Sequence, residues 1–123
     1  MLPAEGRVNL MTIDELKALG VDTEQGLTRC MNNEGFYFRL VKMAAADANF
    51  EKLFSSVESG DLEGAFAAAH ALKGTTGNLA LTPILTPVCE ITEMLREKKE
   101  TDYTALVQVI REEREKLLGI CGE

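Results

Sequence analysis

Apolar positions recur along this chain at spacings of three and four, and no segment shows the alternation of a half-buried strand. Thr12-Ile13-Asp14-Glu15 has the form of a capping box and opens a short apolar pattern that ends near Gly20. A second short helix is predicted from about Thr23 to Met31, where Asn32 and Asn33 break it. From Glu34 to about Ser59 the pattern is helical almost throughout. Phe36, Leu40, Met43 and Ala44 line one face, continued by Phe50, Leu53, Phe54 and Val57. Gly60 then reads as a helix stop and Asp61 as the next N-cap.

The following helix, Leu62 to about Gly77, carries the stripe Leu62, Ala65, Phe66, Ala69 and Leu72. Thr82-Pro83 and Thr86-Pro87 each fit an N-cap followed by proline at the first helical position. Proline lacks the amide needed deep in a helix, so the next helix is expected to start at Thr86 or to be irregular before it. Val88, Ile91, Met94 and Leu95 define its buried face. Lys98 to Asp102 is a charged turn. Tyr103, Leu106, Val107, Ile110 and Leu117 mark the last helix, with Arg111 to Lys116 as its charged outer face.

The pattern predicts an all-α domain of five or six helices. Four are long enough to form an antiparallel four-helix bundle, with an additional short N-terminal helix. Residues 1–11, with Pro3 and Gly6 and no periodicity, read as a flexible leader, and residues 12–121 as a single domain. A chain of 123 residues can bury one core and little more.

Composition narrows the core and the partners. Aromatic residues are 6% of the chain and tryptophan is absent, so the core must be built mainly from Leu, Ile, Val, Met and Ala. Met11, Met31, Met43 and Met94 fall at core-like spacings and need no cofactor. The net charge of −7 disfavours nucleic acid and anionic membranes, which leaves proteins as the expected partners. Cys30, Cys89 and Cys121 form no CxxC pair, and a single histidine cannot complete a zinc set. They read as thiols in a reducing cytoplasm, two in or near the core and Cys121 in a fraying tail. No signal peptide or membrane-spanning run is visible, so the chain is expected to be cytoplasmic.

The chemistry points to His70, the sole histidine. At ~100° per residue it lies roughly 110° from the centre of the apolar stripe, at the edge of the buried face. Its helical neighbours one turn either way include Glu63, Ala67, Gly74 and Gly77, three of them tiny. Glycine near a helix end costs about 1 kcal/mol relative to alanine, so clearance beside the ring suggests close approach by another surface. Lys73, at i+3, can set its ammonium near an anion on the ring. Imidazole titrates near neutrality, which keeps a nucleophilic neutral fraction available. Geometry of this kind fits an ordinary boundary histidine as well as a phosphoacceptor.

Ala69-His70-Ala71-Leu72-Lys73-Gly74-Thr75-Thr76-Gly77-Asn78-Leu79 resembles the signature of histidine-containing phosphotransfer (HPt) domains, and the resemblance extends over about residues 12–120. It implies a four-helix bundle that exchanges phosphoryl groups with receiver-domain aspartates. His70 would be the phosphoacceptor, Lys73 would support the phosphoryl group and Gly74 would leave room for it. Glu63, Ala67 and Gly77 join the expected docking face. Members usually carry glycine shortly after the Asn-apolar pair, where this chain has Ala80, and Pro83 and Pro87 crowd the next helix. No role in hydrogen-bonding the imidazole is carried over.

Gly74-Thr75-Thr76-Gly77 lacks the spacing of a phosphate-binding loop, and no ATP-binding segment is visible. The expected protein is a monomeric relay intermediate without a cofactor or metal of its own. Its expected partners are response-regulator receiver domains, which would bring Mg2+, and a hybrid sensor histidine kinase. The alternatives are a bundle that binds receivers without accepting phosphate, and an excised phosphoacceptor domain of such a kinase.

Overall fold

Thr12 forms both halves of the predicted capping box in the computed structural model, which describes residues 11–121: its hydroxyl accepts from the Glu15 amide and the Glu15 carboxylate accepts from its own. Of the expected leader, residues 1–10 lie outside the described region. Met11 is within it and is buried. Seven α-helices follow among the described residues: α1 (Ile13–Leu19), α2 (Thr23–Arg29), α3 (Glu34–Ala45), α4 (Asn49–Ser59), α5 (Leu62–Asn78), α6 (Thr82–Arg96) and α7 (Thr104–Cys121). No strand occurs among them.

The single helix expected over residues 34–59 is two. Asp47 breaks it, because its carboxylate accepts from the Asn49 amide at 2.8 Å and turns the chain into α4. Arg114 of α7 covers the break. It donates to the Ala45 carbonyl at 2.9 Å and to Glu51 at 3.0 Å, while its guanidinium lies 4.7 Å from the centre of the Phe50 ring. Arg111 sits in the same way over Phe54, at 4.2 Å. Part of the run read as a charged outer face is therefore turned inward, onto rings.

Four layers make the bundle: α3 with α4, then α5, α6 and α7. Connections of a few residues return each long helix antiparallel to the last, and α3 meets α7 to close the circuit. Between its neighbours α4 and α6, α5 buries Ala65, Ala68, Ala69, Leu72 and Thr76, a stripe of mostly small side chains that lets both approach closely. The core otherwise draws on Leu16, Val41, Phe50, Leu53, Leu81, Val88, Ile91, Leu95, Ile110 and Leu117.

The buried face of α3 is Tyr37, Val41, Ala44 and Ala45, rotated from the stripe expected there. Phe36 is 36% exposed and Met43 63%, because Tyr37 takes the inward position. Its hydroxyl donates to the Leu79 carbonyl at 3.0 Å, and Gly26 of α2 lies directly against its ring. A Cβ on Gly26 would stand 2.5 Å from the Tyr37 hydroxyl, so only glycine fits. Met31, also assigned to the core, is 82% exposed on the turn after α2. Cys121 is buried within α7 and not in a fraying tail.

The start of α6 differs from expectation too. The helix begins at Thr82, with Leu81 as N-cap and no side-chain cap, and continues through Pro87. Proline in the second turn removes one backbone bond, and burial of Leu81, Ile84, Pro87 and Val88 holds the helical path across it.

Candidate functional site

Helix α5 is fixed at both ends. Asp61 caps its N-terminus by accepting from the Gly64 amide at 2.9 Å. At the other end the Leu81 amide reaches back to the Thr76 carbonyl and the Ala80 amide to that of Gly77, the paired bonds of a Schellman turn. Arg29 of α2 also donates to the Gly77 carbonyl. The middle of the helix, where His70 stands, is thereby held in register with α4 and α6.

His70 is exposed. Ala67, Ala71 and Gly74 are exposed on the same helix, with Glu63 further along it, so small side chains leave an open strip beside the ring. A Cβ added to Gly74 would meet nothing within 4 Å. Its missing side chain therefore answers no need of the fold. Gly77 is placed differently: it is half-buried, faces Leu85 of α6, and marks the edge of the strip.

The principal contact of the imidazole is Phe66, one turn earlier. The two rings stack with centroids 5.7 Å apart and planes inclined by 22°. Phe66 belongs to the stripe expected to be buried, yet it is only half-buried. The i, i+4 spacing of two rings on one helix was the available signal for this pairing. Phe66 also carries the Arg96 guanidinium of α6, 5.2 Å from the ring centre.

Lys73 is half-exposed, and its ammonium lies 3.9 Å from the Glu93 carboxylate of α6. Arg96 meets the same carboxylate through two nitrogens, at 3.2 and 3.3 Å. Hydrogen bonding from Arg96, with the charges of Arg96 and Lys73 assisting, holds the Glu93 carboxyl below its ordinary range. Sequence spacing carried no sign of Glu93 or Arg96 because both come from the neighbouring helix. Lys73, Glu93 and Arg96 thus form one charged cluster across α5 and α6, joined to the imidazole through Phe66.

Beside this cluster a shallow groove runs between α3 and α5, lined by Leu40, Met43, Ala71, Gly74, Thr75 and Asn78. The exposed side chains of α3 thus border the open strip of α5. No group of three or more His, Cys, Asp or Glu side chains able to hold a metal occurs among the described residues.

The Hpt domain family model matches residues 40–119, well over half of the chain and a span that contains the exposed histidine with lysine at i+3 and glycine at i+4. The chain belongs to the Hpt domain family. Membership gives this Hpt domain a histidine-phosphotransfer role in two-component signalling, and domains of this family interact with receiver domains. The match begins within α3, so α1 and α2 lie outside it. No curated protein and no solved structure matches the chain. Among the described residues no helix of this Hpt domain is long and apolar enough to cross a membrane.

Proposed function

We propose that the chain is a phosphorelay intermediate in which the outer ring nitrogen of His70 takes a phosphoryl group from a receiver aspartate and passes it to a second receiver. The lone pair of the neutral nitrogen forms the N–P bond. The P–O bond of the aspartyl phosphate breaks, and its electron pair remains on the aspartate as carboxylate. The proton on the other ring nitrogen makes the product ring cationic until solvent removes it. Such transfer relies on positioning and charge neutralisation, and the receiver supplies the Mg2+ for it. The relay acts as a cytoplasmic monomer.

The observation that carries this reading is the exposed imidazole on an obstruction-free strip with a cation one turn on. Lys73 offsets the charge of roughly −1.5 to −2 that phosphorylation adds. Gly74 admits the donor's reacting group. Glu63, Ala67 and Gly77, with the apolar border at Leu40 and Met43, form the docking face; exposed apolar side chains beside a reactive group suit a transient protein partner.

Incubation with a phosphorylated receiver tests it. The expected product is an acid-labile, alkali-stable phosphoprotein that His70→Gln does not form. Label persisting in His70→Gln overturns the assignment.

A further inference from the structure

Lys73, the cation one turn from His70, is already engaged with a carboxylate of this chain, which Arg96 of α6 meets as well. Glu93 holds Arg96 at 3.2 and 3.3 Å and Lys73 at 3.9 Å. Arg96 is tied to the ring of His70 through Phe66, since the guanidinium covers one face of the phenyl group and the imidazole stacks on it. All three charged side chains are about half exposed, so they can rearrange without unpacking the core. We propose that Glu93, itself fixed by Arg96, is a positioning residue that occupies Lys73 while His70 is unmodified and yields it when the phosphoryl group arrives. This rests on His70 being the phosphoacceptor.

The consequence is a tuned affinity for phosphate. A relay intermediate must accept a phosphoryl group and also release it. A lysine with no internal partner would favour the phosphorylated form and retard its discharge. Glu93 supplies a competing anion, fixed on α6, that lowers the free energy of the unmodified state and repels the phosphoryl group. Exposed pairs are weak, so its expected effect on the phosphorylation equilibrium is about threefold. That suits a step poised between donor and acceptor.

The test uses the whole chain and phosphoramidate, a small donor that loses ammonia and requires no docking partner. The fraction of acid-labile phosphoprotein at equilibrium with excess donor, and its half-life after donor removal, are compared for wild type, Glu93→Gln and Glu93→Asp at matched thermal stability. Glu93→Gln should raise the phosphorylation equilibrium constant about threefold and lengthen the half-life, while Glu93→Asp stays near wild type. In 1 M salt the difference between Glu93→Gln and wild type should close, since the effect is electrostatic. Equal or reduced phosphorylation in Glu93→Gln, with wild type labelled normally, overturns the inference alone. A wild type that takes no label at His70 from either this donor or a phosphorylated receiver overturns the functional reading instead, and this one with it.

Discussion

The imidazole of His70 and the phenyl ring of Phe66 stack one helical turn apart on α5, with centroids 5.7 Å from each other. The contact limits the rotamers of an otherwise exposed ring, so the nucleophilic nitrogen meets its donor from a restricted set of directions. Phe66→Leu keeps an apolar side chain at the site but removes the stacking surface. We expect the rate of phosphoryl acceptance to fall about tenfold, because orientation is a large part of what the protein contributes to such a reaction. The half-buried position should lose only about 1 kcal/mol of stability. Rapid-quench transfer assays beside a urea titration separate the two effects. Unchanged transfer in a folded Phe66→Leu would show that the stack does not orient the ring.

Gly74 gives a prediction in which stability and activity move in opposite directions. An added Cβ meets no heavy atom within 4 Å, so alanine is free to improve the helix. Gly74→Ala should gain about 0.5 to 1 kcal/mol from the lower backbone entropy of the unfolded chain. The same methyl group would stand beside His70 in the path of a docking receiver and should slow transfer from it. A higher melting temperature with slower transfer is the expected pair of results; lower stability would mean that the glycine serves the fold.

Ala80 has φ of +57°, the left-handed conformation that closes the Schellman turn after α5. The equivalent turns after α1 and α4 are closed by Gly20 and Gly60, at φ of +99° and +79°. Glycine is favoured there because a Cβ crowds the backbone in this region, at a cost near 1 kcal/mol. Ala80→Gly should therefore raise stability by about 0.5 kcal/mol, less than the full relief because a buried methyl group is lost. Chemical denaturation measures this directly. A loss of stability would mean that the Ala80 methyl contact outweighs the strain.

Ala80 also shows what kind of information the sequence holds. Its departure from the usual glycine was visible, but the reason, a left-handed residue in a helix-ending turn, is a backbone conformation that only the structure supplies. Helix ends marked by Thr12, Gly20, Gly60 and Asp61 were legible because capping chemistry is local. The bundle was legible because helical periodicity survives in the apolar pattern. The face of α3 was not: Phe36 and Met43 match the period as well as Tyr37 and Val41 do, and the choice falls to the contact of Tyr37 with Gly26 and Leu79. At the candidate site, His70, Lys73 and Gly74 lie within five consecutive residues of one helix and could be read together. Glu93 and Arg96 reach the same place only through the packing of α6 on α5, which leaves no trace in spacing.

Tyr37 supplies a dependence on pH with a definite sign. Burial pushes its phenol from 10.0 up to about 12, with the charges of Cys30 and Asp22 adding to the shift. The folded state therefore holds the proton more tightly than the unfolded chain does. The associated stability is fully present below pH 10 and is lost as pH rises from 10 toward 12. Tyr103 is raised in the same direction, mainly by burial, so alkaline destabilisation is not due to Tyr37 alone. Tyr37→Phe isolates its share. At pH 7 the variant leaves the Leu79 carbonyl without its donor and should be less stable than wild type by about 1 kcal/mol. Above pH 10 the unfolded wild-type chain releases this phenolic proton while the folded chain keeps it, which favours unfolding, whereas the variant has no phenol there. The gap between the two should accordingly narrow with rising pH, and denaturant titrations at pH 8, 10 and 11 would follow it. A gap that stays constant across that range would show that the Tyr37 phenol titrates alike in the folded and unfolded chains.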